Sequence, residues 1–330
     1  MASVDLSSVQ DITPVALEHL DLGRGYFVAG LYDLANKEFT KALEKNAFFA
    51  DALFWRANTY YWQNKYNNSI SDLTKAIEID NSDKAYYSLR GISYLGNKNY
   101  DLAIADFTRV LIISPNMTHI LGVRGTAYYE KGDYDRAIDD FTQAIKIDPN
   151  KISMYVSRAM AYTKQENYQR AMRDYADAIE IDTANTGHYD SNNTALYINL
   201  SNLYFAKEDY RNALRVINLG FNKINYDTTL KDNSGSYLYN LKNISMGYLY
   251  DMRGNIYSAM GNYQQALSDL NNAVKIIPND ANVLADRGAI YFWLKEYDKA
   301  VNDLEVALKI DPDNVNAFGA LQVVKKTRGY

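Results

Sequence analysis

Hydrophobic positions along the chain fall at helical spacing, stop, and start again. In the stretch Leu121–Pro149, Gly125 and Tyr128 lie on one face of a first helix, and Ala137, Phe141 and Ala144 on one face of a second. The polar break Gly132–Asp133 before Tyr134 separates them. Each half is an amphipathic helix of about three turns. The same pattern returns at a step of 34 residues. Backwards it gives Gly91, Tyr94, Lys98, Tyr100, Ala103, Phe107 and Pro115, then Ala57, Tyr60, Tyr66, Leu73 and Ala76. One step further back it gives Gly23, Tyr26, Gly30, Tyr32, Ala35, Phe39 and Ala42. Forwards it gives Ala159, Tyr162, Tyr168, Ala171, Tyr175 and Ala178.

Five repeats therefore run without a gap over residues 16–185, after an N-terminal extension of residues 1–15. The register then slips at an insert, residues 186–193, read as a surface loop. A sixth repeat, 194–227, keeps Ser201, Tyr204, Tyr210 and Ala213 but is the most degenerate. A longer insert, 228–246, has Tyr237, Leu241, Ile244 and Tyr248 at helical spacing after Asn233 and Ser234, and is read as lengthening the next helix by two to three turns. The seventh and eighth repeats fill 247–314, with Gly254, Tyr257, Ala266 and Pro278, then Gly288, Tyr291, Ala300 and Pro312. Residues 315–330 close the array. There Phe318, Leu321 and Val324 are expected to pack, leaving Lys325, Lys326 and Arg328 in water. A single helix pair cannot bury its own apolar face, so such pairs stack.

These marks, with period 34, resemble the tetratricopeptide repeat (TPR). The resemblance covers nearly the whole chain. It departs locally, where Ala47, Asn81 and Thr183 replace the repeat-ending proline. It implies an all-α fold: a right-handed α-solenoid of about eight tetratricopeptide helix pairs with a C-terminal capping helix.

Composition narrows the function classes. The net charge of −5 argues against a nucleic-acid partner, which calls for a basic stripe. The chain has no cysteine, hence no disulfide frame and no thiolate nucleophile. Residues 1–15 carry neither the basic start nor the apolar core of a signal peptide, and no stretch suits a membrane span. The cytoplasm is the default compartment, and the periplasm or export is the alternative for a chain whose native signal was removed. His19, His119 and His188 stand in different repeats, without a partner at metal-ligand spacing. No cofactor, metal site or catalytic constellation is expected, and the chain is read as a non-enzyme. Asn-x-Ser/Thr triplets at Asn67, Asn116, Asn192, Asn199 and Asn243 are read as chance in an Asn-rich chain.

One charge pattern recurs. Repeat position seven is Arg56, Arg90, Arg124, Arg158, Arg253 and Arg287, and position twenty-three of the same repeats is Asp72, Asp106, Asp140, Asp174, Asp269 and Asp303. Leu22 and Leu200 stand where arginine is missing, and there Glu38 and Val216 replace the aspartate. An arginine ladder alone would read as an anion site. The matching aspartates favour structural ion pairs between helices.

The first helices carry the functional signal. At about 100° per residue, positions two, five, nine, twelve and thirteen lie opposite the packing face and should be charged if they only met water. Instead they hold Asp51, Phe54, Asn58, Tyr61 and Trp62 in repeat two, and Asn282, Ala285, Ala289, Phe292 and Trp293 in repeat eight. In proteins that this one resembles, first helices line a concave inner wall that binds peptides or partner domains. That implies a partner-binding groove of Arg24, Phe27, Phe54, Asn58, Tyr61, Trp62, Tyr129, Asn202, Phe205, Asn255, Phe292 and Trp293. Trp62, Tyr61, Phe54 and Asn58 are expected to be exposed, with Arg24 and Phe27 beside them. Family members that clamp a C-terminal carboxylate use lysine on this wall. Position five here is Leu20, Phe54, Ser88, Gly122, Val156, Ile198, Asp251 and Ala285, without one. The function expected is a non-catalytic scaffold or adaptor holding a protein or peptide segment. The alternative is a self-assembling component of a larger complex that uses the convex face or the ends.

Overall fold

The computed structural model describes residues 12–184, 193–226 and 237–328. Within them lie seventeen helices and no strand. The first helices of the repeats are α1 (Pro14–Val28), α3 (Ala50–Trp62), α5 (Lys84–Gly96), α7 (Thr118–Lys131), α9 (Ile152–Lys164), α11 (Thr194–Ala206), α13 (Tyr237–Ala259) and α15 (Ala281–Trp293). The second helices are α2 (Tyr32–Lys45), α4 (Tyr66–Ile79), α6 (Tyr100–Ile113), α8 (Tyr134–Ile147), α10 (Tyr168–Ala184), α12 (Tyr210–Tyr226), α14 (Tyr263–Ile276) and α16 (Tyr297–Ile310). The last helix is α17 (Val315–Arg328). The fold is an all-α solenoid of helix pairs. It divides into two compact units, Met1–Asn167 and Tyr168–Tyr330.

In the N-terminal unit each second helix packs between its own first helix and the next, and α1, α3, α5, α7 and α9 also touch in succession. In the C-terminal unit the same holds for α11, α13, α15 and α17. Small residues make this packing fit. A side chain on Gly125 would meet the Phe141 ring 2.7 Å away, so the glycine makes room for a ring that is itself 1% exposed. The hairpin turn has a fixed geometry. Position fifteen adopts positive φ in all eight repeats: Gly30, Asn64, Lys98, Gly132, Glu166, Glu208, Gly261 and Lys295. The next backbone N–H closes the turn on position eleven, as in Asn99 to Tyr94 and Asp133 to Tyr128. A non-glycine residue pays steric strain there.

The insert residues 186–192 and 228–236, and with them the proposed helix start at Ser234, fall outside the described residues. The helix that follows, α13, has 23 residues against 13 in α15. In α17, Ala317, Leu321 and Val324 are buried against α15 and α16. Phe318 was expected on that face but is 56% exposed. The buried stripe runs i, i+4, i+7, and Phe318 sits one residue off it.

The arginines of position seven lie on the stacking face. Arg56, Arg90, Arg124, Arg253 and Arg287 each grip the aspartate sixteen residues on with two parallel bonds. For Arg124 these are Nε to Asp140 Oδ2 at 2.8 Å and Nη2 to Oδ1 at 2.7 Å. The third nitrogen, Nη1, reaches back to position twenty-five of the preceding repeat: Thr40, Thr74, Thr108, Thr142 from Arg158, Asn218 and Asn271. One guanidinium thus ties three helices together. Its planar fork suits two carboxylate bonds plus a third. The Asp140 side chain is 3% exposed, so the arginines are ion-pair partners rather than an open anion site. Where the arginine is missing the replacement differs. In repeat one, Glu38 is held by His19 Nδ1 and Lys41 Nζ, both at 2.7 Å. In repeat six, Leu200 and Val216 are both buried.

Candidate functional site

The face opposite the stacking face is aromatic, but its aromatics are of two kinds. Those at position twelve each lie against the tyrosine that opens the second helix of the same repeat. The pairs are Phe27–Tyr32, Tyr61–Tyr66, Tyr129–Tyr134, Phe205–Tyr210 and Phe292–Tyr297, with ring centroids 5.7, 5.9, 5.5, 5.4 and 5.9 Å apart. Edge and tilted contacts of this kind stabilise the hairpin. These position-twelve rings are half-buried. The tryptophans at position thirteen stand further out. Trp62 on α3 is 58% exposed and Trp293 on α15 is 57% exposed. Trp62 meets Tyr61 edge-on at 6.0 Å, and Trp293 stacks flat on Tyr263 at 5.7 Å.

In the N-terminal unit the aromatics join across helices. Tyr32, Phe27, Trp55, Phe54 and Tyr86 touch in sequence, with centroid separations of 5.5 to 5.9 Å. Trp55 is the centre of this row and did not stand out in the sequence, because position six falls between the two faces of the helix. Arg24 lays its guanidinium 5.2 Å from the Trp55 ring centroid, and its enclosed Nε has no hydrogen-bond partner. Phe54, Asn58 and Tyr61 were expected to be exposed. They are half-buried, because Phe54 packs on Trp55 and Tyr86, and Tyr61 on Tyr66. Burial holds the Tyr61 hydroxyl proton more tightly than usual, with Tyr66 adding to the effect. Further along, Thr126, Tyr129 and Glu130 of α7, Phe141 of α8, and Ser157 and Met160 of α9 line an open-sided cavity of about 100 Å³. That is room for one small side chain.

In the C-terminal unit Asn202 is exposed and Phe205 half-buried. Asn255 is engaged within the chain: its Nδ2 donates to Asp286 Oδ2 at 2.7 Å. Asp286 in turn meets Asp251 of α13, the position-five residue of repeat seven. Burial and the neighbouring Asp286 and Asp280 charges push the Asp251 carboxyl up to about 8. Nothing in the repeat pattern marks this pair, since its two members stand 35 residues apart in different repeats and occur once. Among the described residues no group of three histidine, cysteine or acidic side chains is placed to hold a metal, and no helix is long and apolar enough to cross a membrane.

Family profiles described as tetratricopeptide repeat match residues 20–85, 120–151, 152–185 and 257–323. No curated protein matches the chain. Among solved structures, a tetratricopeptide repeat protein from Parabacteroides merdae ATCC 43184 superposes with a TM-score of 0.51 at 16% identity, over 94% of this chain and 99% of that one. A structure described as the APC/C hetero-tetramer Cut9–Hcn1 gives 0.55 at 17% identity, over 97% of this chain and 57% of the other. MamA 41-end from Desulfovibrio magneticus RS-1 gives 0.51 at 14% identity, over 53% of this chain and 98% of the other. At these identities the likeness is one of fold. The repeated glycine-on-phenylalanine contacts, the eight identical hairpin turns and the four profile matches agree, and the chain belongs to the tetratricopeptide repeat family.

Proposed function

We propose that the chain is a non-catalytic scaffold that holds a segment of another protein against its first helices. Tetratricopeptide repeat proteins generally mediate protein–protein interaction, and the finer assignment rests on one observation. Trp62 and Trp293 occupy the same repeat position and remain more than half exposed, while the aromatics one residue before them are packed on tyrosines. Burying a large ring needs a partner surface, and binding energy concentrates in such anchors. The row of Phe27, Trp55 and Phe54 with Arg24 above it, together with the Thr126–Met160 cavity, supplies a second, shallower set of contacts. The partner is a protein or peptide with apolar side chains for these rings. The candidate contacts remain Arg24, Phe27, Phe54, Asn58, Tyr61, Trp62, Tyr129, Asn202, Phe205, Asn255, Phe292 and Trp293, with Trp62 and Trp293 first among them. The cytoplasm is the proposed compartment.

Affinity capture followed by mass spectrometry, with the unaltered chain and with Trp62→Ala side by side, tests this. Proteins retained by the first and lost by the second are the partners expected. If the two captures are identical and the Trp293→Ala capture matches them too, the exposed tryptophans are not the anchors and the reading fails.

A further inference from the structure

Asp251 on α13 lies one helical turn before Asn255, whose Nδ2 donates to Asp286 Oδ2 of α15 at 2.7 Å, so the Asp251 and Asp286 carboxyl groups stand close together between adjacent first helices. A carboxylate has no donor, so two ionised groups cannot bond to each other. Asn255 donates to Asp286 but not, in this arrangement, to Asp251, whose Oδ1 is enclosed without a partner. A proton on Asp251 would let it donate to Asp286, which Asn255 steadies as the acceptor. Like charges so close, in so little water, cannot both ionise without cost.

The surroundings reinforce this. Asp280, the N-cap of α15, adds a third negative charge, and burial together with that charge holds the Tyr248 hydroxyl proton of α13 more tightly than usual. On the other side of α13, α11 carries no charged residue from Thr194 to Ala206. The cations of the helices packed on α13 and α15 are engaged or turned out: Arg253 on Asp269, Arg287 on Asp303, Lys223 toward Asp182, Lys325 on Glu305, Lys299 on Glu296. Arg211, Arg215, Lys275, Lys309 and Lys326 are exposed. Lys242 lies more than two turns before Asp251 on the same helix. The charges that act on Asp251 are those of Asp286 and Asp280.

We propose that Asp251 and Asp286 share a single proton that latches the first helix of repeat seven to that of repeat eight, so that rising pH loosens this joint. The sign follows from the raised affinity for the proton. The closed joint binds one proton that an opened joint releases above the ordinary aspartate range. Its contribution is full in acid and is lost as pH rises toward about 8, where burial and the Asp286 and Asp280 charges have moved Asp251.

Two measurements on the full chain test it. Infrared spectra near neutral pH should show a protonated-carboxyl C=O band that disappears on alkalinisation and is reduced in Asp251→Asn. This needs only the unaltered protein for its main result, and absence of the band there overturns the proposal. Hydrogen exchange of the α13 and α15 amides, corrected for intrinsic rates, reads the opening equilibrium. Between about pH 5 and about pH 8, opening should grow by up to about tenfold per pH unit relative to Asp251→Asn, whose amide donates to Asp286 without a proton. Equal pH dependence in the two proteins overturns the proposal.

Discussion

At the scale of single residues, the hairpin turns give the cleanest energetic statement. Position fifteen takes positive φ whatever occupies it, and Lys98 sits there at 60°, Glu166 at 58° and Lys295 at 61°. Gly30, Gly132 and Gly261 meet the same demand without a Cβ clash. Lys98 is exposed, so its side chain contributes little there beyond the strain. Lys98→Gly is therefore expected to stabilise the chain by up to about 1 kcal/mol, the αL penalty less the backbone entropy that glycine brings. Chemical unfolding of the two proteins checks this, and destabilisation would mean that the lysine side chain makes a contact of its own. Trp62 and Tyr128 form the second contrast. Truncating an exposed side chain usually changes stability within about half a kcal/mol. Tyr128 is 9% exposed and lies under the Arg136 guanidinium, 4.7 Å away. Tyr128→Ala is expected to cost about 3 kcal/mol and lower the melting temperature, while Trp62→Ala leaves it nearly unchanged. Equal losses would place Trp62 in the core and remove it from the binding face.

At the scale of helices, what repeats was legible and what occurs once was not. The Arg124–Asp140 contact could be read in advance because the two residues vary together through the array. Its third arm, Arg124 to Thr108 at 3.1 Å, leaves a weaker trace: position twenty-five carries Thr or Asn wherever the arm is seen. The periodicity also showed which face of α1–α16 is apolar, but not that the position-twelve rings would be spent on their own hairpins. That depends on side-chain direction across a turn. Asp251, Asp286 and Asn255 left no repeating trace, and Phe318 differs from the buried stripe of α17 by a single residue of phase. The ladder yields a sharp test of its energetics. Arg124→Ala strands the Asp140 carboxylate in a site only 3% exposed, and about 3 kcal/mol or more of stability should go with it. Replacing both partners, Arg124→Met with Asp140→Leu, removes the charge and its desolvation together, and should recover most of that loss. Denaturant titrations of the single and double variants decide it. If the double variant is no better than the single, the bidentate geometry itself holds the helices in register.

At the scale of the whole molecule, the choice lies between holding another protein and holding further copies of this one. The first and last helices leave apolar side chains uncovered: Leu22 and Val28 at 45% and 83% exposure, Val315 and Phe318 at 81% and 56%. Scattered exposed apolar residues are ordinary on soluble proteins. They become an interface only when they bury a large, complementary area. If the scaffold reading is right, self-contact is weak, and the sedimentation coefficient should stay constant as the chain is concentrated from the micromolar range upwards. Adding the captured partner should then produce one faster boundary, and Trp62→Ala should abolish it without altering the chain's own sedimentation. The self-assembling alternative gives the opposite record. Mass then rises with concentration by linkage, Trp62→Ala has no effect on it, and a charge placed in the uncovered patches, as in Leu22→Asp or Phe318→Asp, returns the chain to a single slow species. Both substitutions fall at exposed positions, so neither should compromise the core, and a concentration series of the unaltered chain and these three variants separates the two modes of action.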